Sequence, residues 1–308
     1  MDKRKMISVV IPTHNRVNLL PRAIKSVQNQ TVKDVEIIVV SDGSTDGTDA
    51  LMHEFERQDK RIRFISYSPG RNGNYARNQG VLASKGEFIA FLDDDDEWLP
   101  SKLEQQLMLF ESDKSIGLVY TGTHVIYVDE KIEYDSNPKS HGDLSKDILF
   151  SNCIGSTTTV MVRTSLLKET GGFDENLPAI QDYDLWIRIC QKTKVGVVSS
   201  ALVNYYNYRS STQVSSNTSK YKDSYSYLND KYASLLSQLS KKEKQKRFAN
   251  IQNGLGKREL RNGSKNRAIR CYLSSLKYEF RKKTLIYIIL ACLGYKNVLK
   301  LRKRIGKI

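Results

Sequence analysis

The chain has 308 residues, 39% of them hydrophobic, and 49 Lys plus Arg against 34 Asp plus Glu give a formal charge of +15. This composition excludes a disordered chain, and the length suffices for one large or two modest domains whose core needs no metal or disulfide staple. Cys153, Cys190, Cys271 and Cys292 contain no CxxC pair, and the charged start runs into a short β-branched segment, so no zinc site, disulfide framework or secretory signal is suggested and a reducing cytoplasm is expected.

Over the first 215 residues short β-branched runs alternate with helix-like segments, which predicts an α/β fold with a mainly parallel central sheet. In chain order the expected strands are 7–11, 36–41, 63–67, 87–92 and 117–128. The intervening helices are expected at 19–30, 47–57, 75–84 and 100–111, the last opening on Pro100, whose missing N–H costs little there. From about residue 210 the composition turns to Ser, Asn, Lys and Tyr, and 210–223 reads as a mobile loop. Helical patterns at 235–254 and 266–280 follow on a basic background.

Charge is unevenly placed. Residues 1–215 carry 25 basic and 29 acidic side chains, a net −4, whereas residues 216–308 carry 24 and 5, a net +19. The tail therefore calls for an anionic partner. Residues 284–294 lack any charge and are flanked by Arg281, Lys282 and Lys283 and by Lys296 and Lys300. As a helix this segment is only about 16 Å long, too short to span a bilayer but suited to lying at its surface; a helix packed into a core is the plainer alternative. No nucleic-acid motif accompanies the charge. The expected organisation is residues 1–215 as a catalytic domain, with halves of about 1–100 and 101–215, and 216–308 as a basic helical tail that associates with an anionic membrane surface.

Three polar constellations stand at the ends of the expected strands. Ile11-Pro12-Thr13-His14-Asn15-Arg16 follows the first, at the carboxyl end where α/β sheets take ligands, although Thr13 or Asn15 equally suits a helix cap. The second strand ends in Ser41-Asp42-Gly43-Ser44-Thr45-Asp46-Gly47-Thr48. Here Asp42 can accept from a nucleobase N–H, while Ser44, Thr45 and Asp46 serve the turn and the next helix cap. The fourth strand ends in Asp93-Asp94-Asp95-Asp96-Glu97, five carboxylates whose repulsion calls for cations. A hard divalent ion takes oxygen ligands and bridges to phosphates, so this run implies a metal-diphosphate site.

Together with Asn74-Tyr75-Ala76-Arg77-Asn78, Gly171-Gly172-Phe173-Asp174-Glu175 and Gln181-Asp182-Tyr183-Asp184-Leu185-Trp186, these constellations resemble, in order and spacing, the inverting family 2 glycosyltransferases of bacterial surface-polysaccharide type. The resemblance covers about residues 6–210 and implies the GT-A nucleotide-sugar-binding fold. It implies transfer of one sugar from a nucleotide-sugar, expected to be a UDP-sugar, to a hydroxyl of a glycan or polyprenyl-diphosphate-linked acceptor. By this resemblance Pro12, Thr13, His14 and Asp42 surround the nucleobase with Asn15 and Arg16 alongside, and Arg77 and Asn78 lie near ribose and diphosphate. The DxD motif falls on Asp93-Asp94-Asp95, with Asp95 the direct ligand of Mn2+ or Mg2+ and Asp93 and Asp94 assisting. The general base falls on Asp182, which takes the acceptor hydroxyl proton as that oxygen attacks the anomeric carbon. Gln181 is placed for acceptor or sugar contact and Arg209 for a lid over the donor; Trp186 reads first as packing beneath the site, with stacking on an acceptor sugar as the other reading. Two positions depart from the family pattern, His14 where Tyr is frequent and Gln181 where Glu is frequent.

No GxGxxG follows the first strand and no GxxxxGK[ST] occurs, which excludes dinucleotide and P-loop chemistry. A processive synthase would show several membrane spans and a QxxRW segment, and neither is present. A nucleotide-sugar hydrolase and a non-catalytic, membrane-recruited binding module are the alternatives. The expected location is the cytoplasm, peripheral at the inner face of the plasma membrane.

Overall fold

The computed structural model describes residues 6–208 and 217–305. Its first half is a parallel block of β1 (Ile7–Thr13), β2 (Val35–Asp42), β3 (Ile62–Tyr67) and β4 (Phe88–Phe91), in the spatial order β3-β2-β1-β4. Every residue of β1 and β4 is buried, as unbroken Val/Ile/Phe runs require when both faces of a parallel sheet are covered. The covering helices are α1 (Leu20–Gln28), α2 (Thr48–Gln58) and α3 (Gly73–Ala83). All nine expected strands and helices up to residue 128 lie within two residues of the observed boundaries.

Beyond β4 the sheet continues through β8 (Val160–Arg163), which runs antiparallel between β4 and β6 (Ile116–Tyr127). β9 (Lys194–Asn207) lies parallel to β6, and β5 (Glu97–Trp98) and β7 (Ile132–Ser136) are short antiparallel additions. The chain is thus α/β with a mainly parallel sheet, closed over by α4 (Lys102–Ser112), α5 (Thr164–Glu169) and α6 (Gln181–Cys190). β8 and β9 left no readable pattern in the sequence: β8 has four residues, and β9 shifts register against β6 at Thr121 and Gly122.

The tail is helical: α7 (Thr218–Lys231), α8 (Ala233–Ser237), α9 (Lys241–Arg261), α10 (Lys265–Tyr278), α11 (Lys282–Leu293) and α12 (Tyr295–Ile305). The loop expected over 210–223 is corrected for residues 218–223, which open α7, and residues 210–216 of it lie outside the described residues. Asn217 caps that helix by accepting from Ser219 N, and Tyr221, Ser224 and Leu228 form its buried side. Tyr221, Leu228, Leu239 and Leu255 enter the same core as Phe173, Tyr183 and Trp186, so α7 to α9 pack directly on α6. Arg247 secures the contact: buried, it donates to Leu149 O (2.6 Å), Tyr183 Oη (3.0 Å) and Asn229 Oδ1 (2.9 Å). A smaller cluster of Leu260, Ala268, Tyr272, Tyr287 and Leu290 joins α9 to α10 and α11. Among the described residues no helix is long and apolar enough to cross a membrane.

Candidate active site

The carboxyl ends of β1, β2 and β4 open into a cleft of about 760 Å³, closed on the opposite side by α6, β9, α7 and α9. Pro12, Thr13, His14, Asn15, Arg16 and Asp42 line one wall, Arg77, Asp93, Asp94 and Asp95 the floor, and Gln181 and Asp182 the far side. Of the fourteen described positions singled out from sequence, twelve share the cleft, and Asn78 and Trp186 do not. Arg209 lies outside the described residues.

On the first wall the two strand-end loops hold each other. Asn15 has a left-handed backbone (φ 53°), and its Oδ1 accepts from Thr45 N (2.7 Å) while its own N–H donates to Ser44 Oγ (3.0 Å). Asp46 accepts from Val17 N (3.0 Å), which ties the approach of α1 to that of α2. His14 Nδ1 donates to the backbone carbonyl of Asp42 (2.6 Å), so its Nε2 is the acceptor facing Asn15 Nδ2 (3.2 Å). Asp42 Oδ1 already accepts from Tyr67 Oη (2.9 Å) and Arg71 N (2.7 Å).

Structure divides labour within the acidic run. Asp96 and Glu97 hold β9: Asp96 Oδ1 accepts from Tyr206 N (3.0 Å), and Glu97 Oε2 from Asn204 Nδ2 (2.8 Å) and Tyr206 Oη (3.2 Å). Arg22 stacks on the Tyr206 ring (3.8 Å) and donates to Asp95 O, which fixes the turn itself. Asp93 and Asp95 instead face the cleft, paired with Arg77 (2.7 Å) and Arg16 (3.4 Å). Burial, reinforced by the charge of Asp95, pushes the Asp94 carboxyl up to about 7. Among the described residues no three Asp, Glu, His or Cys side chains form a self-sufficient metal cage. Hard divalent ions bound with substrate phosphates need only one or two carboxylates, so the oxygen donors of Asp95 and Asp93 fit such an ion.

α3 and the 171–177 turn form a clamp. Asn74 Nδ2 donates to Asp174 O (2.7 Å) and Leu177 O (3.2 Å). Asn78 bonds both the N–H and the carbonyl of Phe173 (2.8 and 2.9 Å) and Glu175 Oε1 (3.0 Å). Its amide is thereby used up in structure, which corrects its expected place beside the diphosphate. Gly172 (φ +70°) is required here, since a Cβ would stand 2.6 Å from Asn78 Oδ1. The clamp sets the start of α6, and hence Asp182, across the cleft from Asp93. Asp182 accepts from Tyr183 N (2.7 Å) and Asn152 Nδ2 (3.3 Å), and burial pushes its carboxyl up to about 6. Trp186 is fully buried, with Nε1 donating to Gly155 O (2.9 Å), so it packs beneath the site, the first of the two readings given for it.

Sequence reading missed the far wall: Asn152, Tyr205 and, from the tail, Tyr221, Tyr225, Arg258 and Arg261 all line the cleft. One trace of it is periodic. Arg247, Arg258 and Arg261 are 11 and 3 residues apart, spacings that return to one helix face.

A family model described as Glycosyl transferase family 2 matches residues 8–171. The chain belongs to this family. An uncharacterized glycosyltransferase of Methanocaldococcus jannaschii is 32% identical to this family 2 chain over 209 residues, 67% of this chain and 71% of that one. A Campylobacter jejuni GalNAc(5)-diNAcBac-PP-undecaprenol beta-1,3-glucosyltransferase is 47% identical over 100 residues, 32% of each chain. An uncharacterized glycosyltransferase of Rickettsia bellii is 35% identical over 199 residues, 64% of this chain, and the match spans only 28% of its length. Among solved structures, S. aureus TarS 1-349 in complex with UDP-GlcNAc superposes with a TM-score of 0.63 at 18% identity, over 98% of this chain and 92% of that one. The Pyrobaculum calidifontis mannosyltransferase PcManGT, in complex with GDP-Man and Mn2+, gives 0.60 at 14% identity, over 100% and 89%. At those identities the likeness establishes the GT-A fold for this family 2 chain.

Proposed function

We propose that the chain is an inverting, metal-dependent transferase that moves one sugar from a UDP-sugar to a hydroxyl of a glycan or lipid-linked oligosaccharide in bacterial surface-polysaccharide assembly. The observation that carries this reading is one cleft with Asp182 on one side and Asp93, Asp95 and Arg77 on the other. On this reading the donor's base lies against Pro12, Thr13 and His14, with Asp42 Oδ2 accepting from it, because Oδ1 is already engaged. Residues 1–100 then supply the donor half, 101–215 the acceptor half and 216–308 the tail. The undecaprenol-linked substrate named for the Campylobacter relative and the UDP-GlcNAc bound to TarS favour this substrate class.

Asp182 is ionised at neutral pH, so it takes the acceptor proton as the hydroxyl oxygen attacks the anomeric carbon, and the diphosphate departs on the opposite side in one displacement. Arg77 and Arg16, freed in part from Asp93 and Asp95, donate to the departing phosphates. Asp95 and Asp93 would hold an Mn2+ or Mg2+ ion, which when bound would supply charge neutralisation for the leaving diphosphate.

The tail is proposed to rest on an anionic membrane at the cytoplasmic face. Ile286, Ile289 and Leu293 of α11, and Phe280 just before it, are 40–70% exposed, while Tyr287, Leu290 and Ala291 of that helix are buried. That outward apolar stripe beside Arg281, Lys282 and Lys283 suits an interfacial helix. Titration of the purified protein with UDP, GDP and dTDP, each with and without manganese, tests the donor assignment. Manganese-dependent preference for UDP is expected; equal or absent binding by well-folded protein overturns it.

A further inference from the structure

Four arginines line the cleft, and they differ in what neutralises them. Arg16 and Arg77 stand against Asp95 and Asp93. Arg258 has no carboxylate at ion-pair distance among the described residues; its guanidinium carbon instead lies over the Tyr221 ring, 3.3 Å from the centroid. One turn further along α9, Arg261 Nη2 donates to Tyr208 O (3.1 Å), at the end of the strand that carries Tyr205 and Tyr206 into the same cleft. Both cations therefore reach the site from an element that the basic composition of the tail assigns to a membrane.

We propose that Arg258 and Arg261 form an anion-binding subsite of the cleft that takes a phosphoryl group of a substrate. The proposal rests on the transfer reading above and adds to it the chemical class of the group held at this wall. A planar guanidinium presents paired N–H donors that match phosphate oxygens, and stacking on Tyr221 pre-organises one of the two forks. α9 is a rigid support for them: Arg247, three turns before Arg258 on the same face, is buried in bonds to Leu149, Tyr183 and Asn229, and Leu255 sits in the main core. Cations in a last turn also favour the helix dipole, but that role needs no projection into a cleft and is satisfied equally by solvent-facing residues. Arg258 also acts on Asp182, where its charge opposes the effect of burial. The phosphoryl group has two sources of the same chemistry, the donor's diphosphate and a phosphate-bearing acceptor.

The test is calorimetric titration of the full chain and of its Arg258→Gln, Arg261→Gln and double variants, with UDP and, separately, with inorganic phosphate added to UDP-saturated protein. The expected result is a loss of affinity of about tenfold or more in the double variant, with Arg258→Lys falling between it and wild type, at unchanged circular dichroism and a melting temperature close to wild type. A loss for UDP assigns the subsite to the donor diphosphate. A loss for phosphate alone assigns it to the acceptor. Unchanged binding of both overturns the proposal. Wild-type protein that binds phosphate through the two arginines, yet binds none of UDP, GDP and dTDP, keeps the subsite and sinks the donor reading instead. Should the double variant melt early, the single Arg261→Gln variant, which leaves the Tyr221 stack intact, carries the same comparison.

Discussion

Asp182 combines a functional advantage with a structural cost. Its carboxyl is pushed by burial to about 6, above the ordinary range, so it is charged at pH 7 and protonated below about pH 6. The acidic limb of kcat/KM for UDP release from the selected sugar nucleotide in the presence of acceptor is therefore expected near pH 6. Asp182→Asn should lower turnover by about 10²–10⁴-fold while UDP affinity stays close to wild type, and full activity in that variant would remove Asp182 from its role. The stability sign follows from linkage. With the folded pKa raised above the unfolded value, the folded state binds the proton more tightly between about pH 4 and 6, so stability falls as pH rises through that window. Asp182→Asn is thus expected to melt above wild type at pH 8 and to lose that advantage at pH 4, as differential scanning fluorimetry would report.

Among the elements, α3 and α6 show how a motif can be right in place and different in purpose. The Asn74 to Asn78 stretch and the Gly171 to Glu175 turn were readable as a pair of family motifs, yet Asn74 and Asn78 bond to that turn, while Arg77 between them pairs with Asp93 in the cleft. These bonds tie α3 to the turn that leads into α6. Asn78→Ala leaves the Phe173 N–H and carbonyl without their partner, and Gly172→Ala forces a Cβ against Asn78 in a left-handed turn. Each is expected to cost about 1–3 kcal/mol in urea unfolding. Arg247→Met tests the equivalent join between α9 and α6. Loss of three buried hydrogen bonds should lower the unfolding midpoint, and a wild-type midpoint would show that apolar packing alone holds the tail helix.

At the level of the whole molecule the tail divides in two. α7 to α9 contribute Tyr221, Leu228, Leu239 and Leu255 to the principal core, so a chain ending at residue 215 should fail to fold cooperatively or aggregate through that exposed face. Solubility and a wild-type melting transition for that truncation would contradict this packing account. α11 presents Ile286, Ile289 and Leu293 outward, next to Phe280, which permits a cleaner test of membrane association. The triple change Phe280→Ser, Ile289→Ser and Leu293→Ser alters exposed positions and should leave the melting temperature nearly unchanged while reducing co-sedimentation with phosphatidylserine-containing vesicles several-fold. Equal sedimentation of the variant would refute the anchor.

The sequence by itself determined the parallel block and the residues at its strand ends. A strand buried on both faces leaves a continuous β-branched run, and the polar residues that follow it must emerge at one edge. Pro12 to Arg16, Asp42 and Asp93 to Asp95 are legible for that local reason. Tertiary structure alone decided which of five adjacent carboxylates face the cleft and which hold β9, because that choice depends on partners more than 100 residues away, such as Asn204 and Tyr206. It also decided that part of the tail's positive charge belongs to the site. Composition counts Arg258 and Arg261 with every other tail cation; only the packing of α9 against the main core brings those two to the lining of the cleft that holds Asp182.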